Sequence, residues 1–516
     1  MEAAQGPFFL TEFRSAMTVD ADVAILGSGF GGSIMALVLD AIGLEPVVLD
    51  KACHPRFTIG ESSTPTGNMI LRDLTDRYDL PALRPLSAHG PWQEAYPNVT
   101  GGRKRGFSYF RHSRGEPFVP APDHANELLV AASSDPYHSD TQWLRADVDA
   151  FLARRVRDTG LSLLENTTVT DIDRGSRWRI RAARNGTSVE CTADFIVDAT
   201  GGAQLRSSLG VTETDASLRT RSRALYGHFA PLPRWRDWMA AHGAHTADHP
   251  YPCDEAVVHH VLDDGWLWEI RFDDGCVSAG LVLDMEAHPR PSTQTPREEW
   301  RAHLQSYPTL ARRFADAETA DPPGQIIRTG RLQRLVDQAA GPGWALLPSS
   351  AGFVDPLHST GIAHTLSGVE RLGRLFGRHG AAPPPSALDA YSEAVRHELR
   401  RVDDLVRLCY DALPSFRAWT ISTMFYFAAA TTYERRRSRT GGSPKVPPAF
   451  LCAEDDALWA GVRRASQTVP DGDAPSERAL DAYEEQARNA IRPFNEVGLF
   501  DPPIPNLYPH TAAPSL

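Results

Sequence analysis

The chain has little lysine, no paired cysteine motif and no long apolar run, and each shortage removes a class of protein. Its six cysteines, Cys53, Cys191, Cys253, Cys276, Cys409 and Cys452, are scattered without a CxxC or a Cys/His spacing of zinc type. A disulfide scaffold is therefore not expected, no metal site is read, and the thiols are taken as reduced. No stretch approaches the roughly 18 apolar residues of a membrane span, and the first twenty residues lack the basic start and apolar core of a signal peptide. The expectation is a cytoplasmic protein with no membrane partner, in which the glycosylation sequons at Asn98, Asn166 and Asn185 are chance matches. A formal net charge of −12 argues against nucleic acid or an anionic membrane surface as partner. Only three of the 53 basic residues are lysines, Lys51, Lys104 and Lys445, so a lysine kept in mid-chain has interest of its own.

At 516 residues the chain is long for one core, and it reads as interleaved segments. "DVAILGSGFGGSIMALVLDAIGLEPVVLDK" is a strand, a glycine turn, a helix and a second strand ending at Asp50. In its GxGxxG, Gly27 allows the tight turn, Gly29 lets a pyrophosphate approach the backbone, and Gly32 permits close helix–strand packing. Phe30 and Gly31 lie within the motif, and Asp50 is placed to hold a ribose hydroxyl. A plain glycine-rich turn would not require the acidic strand end.

Residues 1–85 are read as the first part of a cofactor fold and 86–130 as the start of an inserted substrate sheet. Residues 131–216 resume the cofactor fold, with a helix in "WLRADVDAFLARRVRDTG" and a strand ending in "DATG" at Gly201. Residues 217–322 form the substrate sheet, including a hairpin at Asp274-Gly275. Residues 323–380 carry the third cofactor part and the loop "PSSAGFVDPLHSTGIAHTL", and 381–516 a helical C-terminal region. The loop "GGSPKVPP" and a proline-rich tail are read as irregular.

These segments resemble the FAD-binding flavoprotein monooxygenase fold and, more narrowly, the flavin-dependent halogenases. The narrower resemblance rests on "IGESSTP" at 59–65, "KRGF" at 104–107, "WLWEI" at 266–270, "FVDPLHSTGI" at 353–362 and "NLYP" at 506–509. It implies an α/β fold, Rossmann-like and of the GR2 flavoprotein type, with an inserted β-sheet substrate domain and a helical C-terminal region.

The resemblance also assigns roles. Gly60, Glu61 and Ser62 would lie against the flavin and connect its site to the halide site, with Glu61 among the catalytic residues; alternatively Ser62 or Ser63 caps the following helix. Arg145, Gly201, Ser349 and Asp355 would join the cofactor site. Ser349 departs from the family, which usually has Asp there on the ribityl chain. Ser359, Thr360 and Gly361 would hold chloride or bromide at a helix start, where exposed N–H groups favour an anion; a contact to flavin or phosphate is the other reading. His358 stands where the tryptophan-specific branch has glutamate, as a base or as a histidine satisfied by nearby backbone. Lys104 would receive hypohalous acid and direct it to the substrate, unless "RKR" is a solvated basic turn. Trp266 and Trp268, on one side of a strand, would form a barrier between flavin and substrate or simply pack in the core, and Tyr426 and Phe427 would cap the substrate cavity.

The function implied is an FADH2-dependent halogenase that uses O2 and chloride or bromide on an electron-rich aromatic, phenol, pyrrole or indole in type, in antibiotic-like natural-product biosynthesis. Its partner would be a separate NAD(P)H-dependent flavin reductase, since no second nucleotide motif is evident. A monooxygenase or oxidase of the same fold and a non-catalytic binding protein are the alternatives. The substrate is free or tethered to a carrier protein, which the basic cluster Arg103, Arg105, Arg111 and Arg114 could meet. Oligomeric state is left open.

Overall fold

Alternation of apolar runs with glycine turns builds a parallel sheet. In the computed structural model, which describes residues 17–133, 135–202, 206–439, 446–470, 472 and 475–511, strand Met17–Leu26 pairs in parallel with Pro46–Leu49 and with Thr187–Asp198. Ser162–Leu164 and Trp344–Leu346 extend it in parallel on either side, and an antiparallel hairpin and a short edge strand complete eight strands. Its central strands read as unbroken apolar runs because both faces are covered; Val23, Ile25, Val48 and Ile196 have no exposed surface.

Helix Phe30–Ala41 makes the first crossover, and space dictates its glycines. Gly27 has φ +99°, and a Cβ on it would lie 2.7 Å from the Ala199 carbonyl oxygen. A Cβ on Gly32 would come within 2.0 Å of Gly27 O. The helix can sit on the turn only because that position carries no side chain.

A second sheet has nine strands, in the order Glu318–Ala320, Ser222–Ala230, Val277–Asp284, Gly265–Arg271, Val257–Val261, Gly106–Arg111, Glu127–Ala131 and Leu507–Tyr508, with Ile327–Arg331 also pairing Ser222–Ala230. Two features differ from the sequence reading. Leu507–Tyr508, expected to be irregular, pairs in parallel with Leu129–Val130, because the tail prolines Pro505 and Pro509 flank those two residues without occupying either position. Gly101–Lys104 does not join this sheet; it pairs antiparallel with Asp140–Trp143. The segment "GGSPKVPP", including Lys445, begins outside the described residues.

Helices Pro385–Asp411 and Phe416–Ser438 close the C-terminal side. Phe416–Ser438 is buried nearly all round, since it packs against Pro65–Arg77, Pro385–Asp411 and Glu477–Ile491. Among the described residues no helix is long and apolar enough to cross a membrane.

Substituting Gly32→Ala forces the helix off the turn. The expected cost is about 1–3 kcal/mol, seen as a lower melting temperature together with weaker binding of added FAD; an unchanged melting temperature would show that the turn can open.

Candidate functional site

Ligands of open α/β sheets sit beyond the carboxyl ends of the strands, and there the structure has a cavity of about 900 Å³. Gly27, Gly29, Phe30, Gly31, Asp50, Gly60, Glu61, Ser62, Arg145, Gly201, Ser349, Asp355, Ser359, Thr360, Gly361, Trp266 and Trp268 all line it. Gly32, Lys104, His358, Tyr426 and Phe427 do not.

The lining suits a flavin dinucleotide. Arg56, Arg145, Arg331 and Arg334 give the wall a positive character, and a Cβ built on Gly201, Gly202 or Gly361 would meet no atom within 4 Å. The Asp50 carboxylate accepts from Ser28 N at 2.8 Å, Ser28 Oγ at 2.7 Å and Ala52 N at 2.9 Å. Burial alone would raise its pKa, but the Ala52 hydrogen bond and the Arg56 charge hold it below the usual range. Arg145 grips Asp149 with two 2.9 Å hydrogen bonds and donates to Gly60 O at 3.1 Å, while Asp149 accepts from Phe30 N at 3.2 Å. The glycine turn and the segment after the second strand are thereby fixed to each other. Asp149 carried no sequence signal beyond its place one helical turn after Arg145.

Opposite, Arg334 donates to the carbonyl oxygens of Gly201 and Ser349, the latter at 2.7 Å; burial pushes its pKa down to about 10. Asp355 lines the cavity, but its oxygens are taken by the protein: Oδ2 accepts from Ser222 Oγ at 2.6 Å and Tyr410 Oη at 2.9 Å, and Oδ1 from Leu357 N at 3.1 Å. Its part is to hold the loop. Burial raises its pKa to about 6.

The loop leads into helix Gly361–His379, whose N-cap Thr360 makes no side-chain capping bond. The first residues of this 19-residue helix, Gly361 and Ile362, line the cavity beside Ser359, which takes a left-handed φ of 52°.

Glu61, 2 % exposed, is hydrogen-bonded through Oε1 to His228 Nε2 at 2.8 Å, while Oε2 has no partner. The helix after it is capped not by Ser62 or Ser63 but by Thr64, which accepts from Gly67 N. Both serines are otherwise engaged. Lys104 Nζ donates to Ser62 Oγ at 2.7 Å and to Ser63 O at 2.8 Å, and lies 4.2 Å above the Phe107 ring. Lys104 has no exposed surface, so "RKR" is not a solvated turn. Asp140 is its cross-strand partner in register, hydrogen-bonded to Asn68 Nδ2 at 2.8 Å with Oδ2 left unpartnered. Burial lowers the lysine pKa to about 7 against the attraction of Asp140. The Asp140 pKa is raised, again by burial and against the attraction of Lys104. Near neutral pH the lysine is thus poised between ammonium and amine.

Beyond Phe107 lies an aromatic cluster that the cavity meets only at His259. The rings of Tyr426 and Phe427 stand 5.9 and 5.6 Å from Phe107, and Tyr109 stands 4.4 Å from His259 and 4.8 Å from Trp419. His358 belongs here. It stacks on Tyr426 at 4.3 Å and its Nε2 lies 3.8 Å from Cys409 Sγ. Burial drops its pKa to about 3, so the imidazole is neutral and has none of the proton affinity a base near pH 7 needs. Trp266 and Trp268 are both core and wall: 2 % and 5 % exposed, they line the cavity with ring centroids 5.9 Å apart. The basic cluster is internally neutralised. Arg103 pairs with Glu255, Arg111 with Asp263 and Arg114 with Asp264, and Arg105 is buried.

A glycine-motif cavity lined with arginine, an uncapped helix start and a buried lysine define a flavin-binding α/β enzyme. Residues 116–417, more than half the chain, match the family model described as "Tryptophan halogenase", and the chain belongs to the flavin-dependent halogenase family. Over 492 residues it is 28% identical to monodechloroaminopyrrolnitrin halogenase PrnC of Pseudomonas fluorescens, covering 89% of this chain and 83% of that protein. It is 27% identical to tetracycline 7-halogenase of Kitasatospora aureofaciens over 68% of this chain and 62% of that one, a little under two thirds of its length. The fold is similar to the crystal structure of halogenase PltM in complex with phloroglucinol and FAD, with a TM-score of 0.81 at 24% identity, covering 93% and 97% of the two chains. For flavin-dependent brominase Bmp2 the TM-score is 0.59 at 19% identity, covering 92% and 99%. These two likenesses bear on the fold alone. The cofactors of the family are FAD and a halide, its enzymes generally need a separate flavin reductase, and the monooxygenase and non-catalytic alternatives are not favoured.

With so few lysines, [13Cε]lysine labelling makes Lys104 readable by NMR. Asp140→Asn removes the attraction that opposes burial, so the Lys104 midpoint should fall from about 7 by about one unit or more; an unmoved midpoint would show that Asp140 does not act on the lysine.

Proposed function

We propose that the chain places chlorine or bromine on a free, electron-rich aromatic ring of phenol, pyrrole or indole type, drawing FADH2 from a separate NAD(P)H-dependent reductase. The observation that carries this reading is the position of Lys104: its amine is bonded to Ser62, which lines the cofactor cavity, and lies over Phe107, which opens the aromatic cluster. Gly27, Gly29, Phe30, Gly31 and Asp50 would hold the nucleotide end of FAD, with Arg145 and Arg334 fixing the backbone around it. When bound as FADH2 with O2, the cofactor supplies the two-electron oxidation that turns halide into hypohalous acid. Overall, ArH, X⁻, O2, FADH2 and a proton give ArX, FAD and two waters.

The chain's own residues have separate tasks. The first N–H groups of helix Gly361–His379, with Thr360 and Ser359, hold the halide, an anion suited to a helix start with no capping side chain. Glu61, kept in place by His228, shapes the passage beside Ser62. Lys104 Nζ spends two donors on Ser62 and Ser63, and its third holds and polarises HOX toward the ring. The ammonium form, with its three N–H groups, does this, and lysine suits the task where arginine could not because burial can shift its protonation. Trp266 and Trp268 separate cofactor from substrate, and Tyr426 and Phe427, with Tyr109 and His259, surround the ring. His358 serves as packing behind Tyr426. The neutralised arginines leave no open basic patch for an acidic carrier, which favours the free substrate.

Purified protein supplied with FADH2, O2 and bromide is expected to convert at least one member of a panel of phenols, pyrroles and indoles to a product whose mass shows the bromine isotope doublet. A product carrying hydroxyl in place of halogen, or none while FADH2 is consumed, would contradict the reading.

A further inference from the structure

Away from the cavity, two histidines and a glutamate converge without an assigned role. His124 and Glu127 lie on the turn entering strand Glu127–Ala131, and His249 comes from the loop before Val257–Val261. His124 Nδ1 and His249 Nε2 stand 2.5 and 3.1 Å from one oxygen, Glu127 Oε1. A ligand atom from each residue lies within 4.8 Å of the others, and the three side chains are at most 4 % exposed.

Two details reach beyond a hydrogen-bonded triad. Glu127 Oε2 is buried with no hydrogen-bond partner, a costly state unless something binds it. His124 Nε2 faces Asp248 Oδ2 at 3.4 Å, the arrangement in which an outer carboxylate takes the N–H of a metal-ligating histidine and turns its other nitrogen to the ion. With the proton on Nε2, Nδ1 and the Glu127 oxygen would face each other lone pair to lone pair, and a cation that both ligate, drawing them apart from their 2.5 Å contact to ligand spacing, resolves the repulsion.

We propose that His124, Glu127 and His249 bind one zinc ion, with Asp248 as the outer partner of His124. Two imidazoles and a carboxylate suit zinc, with water or the second glutamate oxygen completing the set. The ion would be structural. It joins the loop around His249 to the turn at His124, whose carbonyl accepts from Asn506 Nδ2 at 2.9 Å, and so to the tail strand Leu507–Tyr508. The sequence shows no zinc spacing because His249 lies 122 residues from Glu127 and no cysteine takes part.

The test uses the full chain, free of any histidine tag. Chelator-treated protein titrated with Zn²⁺ should bind about one ion per chain by calorimetry and gain roughly 3 °C or more in melting temperature at a hundredfold excess over Kd. His249→Ala and Glu127→Gln should each bind at least tenfold more weakly. Asp248→Asn, which leaves the ligands in place, should weaken binding about 10-fold or more. No heat and no thermal shift in the unsubstituted protein, or undiminished binding in a folded His249→Ala variant, would overturn the proposal.

Discussion

The site depends on the burial of one lysine. An ammonium with no exposed surface survives only where hydrogen bonds replace water, and Lys104 obtains them from Ser62 Oγ and Ser63 O. That requirement fixes the segment after the second strand of the parallel sheet. Ser62 bridges Gln142, Trp143 N donates to Glu61 O at 2.6 Å and Ser63 N to Thr141 O at 3.1 Å. The segment lies along Asp140–Trp143, whose other edge carries Gly101–Lys104. Arg145, with only Leu144 between it and that strand's end and at the start of the next helix, ties Gly60 to the glycine turn through Asp149. The lysine, the cofactor loops and the neighbouring carboxyl therefore share one small framework.

The same framework gathers groups that burial moves away from their ordinary protonation. Lys104 and Asp140 are each held away from their ordinary protonation by burial. Between the unfolded carboxylate range and neutral pH, the native Asp140 keeps a proton that the unfolded chain releases, so its stability contribution falls as pH rises there. Above about 7 the unfolded chain keeps the proton that native Lys104 has lost, and the lysine contribution rises with pH. The pair contributes least near neutrality, where the amine is most able to exchange its proton. Asp355, raised to about 6, and the unpartnered oxygen of Glu61 belong to the same pattern.

Much of the architecture was legible because its signals are local. The glycine motif with Asp50 marks a steric requirement that few other turns impose, and alternating apolar runs separated the two sheets. The resemblance, with the rarity of lysine beside it, singled out Lys104. What escaped notice depends on residues distant in sequence. Asp140, Asp149, His228 and Arg334 acquire meaning only when folding sets them beside Lys104, Phe30, Glu61 and Ser349. For His358, read either as a base or as a satisfied histidine, adjacency to Ser359 and Thr360 says nothing about which side of the loop the ring takes, and it turns into the aromatic cluster. Asp355 touches the cavity, but its lone pairs serve Ser222 and Tyr410. The tail strand at Leu507–Tyr508 was hidden by the prolines around it.

The role proposed for Lys104 is to carry oxidised halogen from the cofactor side to the ring. The most direct measurement compares Lys104→Met with the unsubstituted enzyme in FADH2, O2 and bromide, following brominated substrate together with a diffusible trap for hypobromous acid. Substrate bromination should fall by a factor on the order of 10² to 10⁴, while FAD binding persists and bromine appears on the trap. Substrate bromination at the unsubstituted rate would contradict the account.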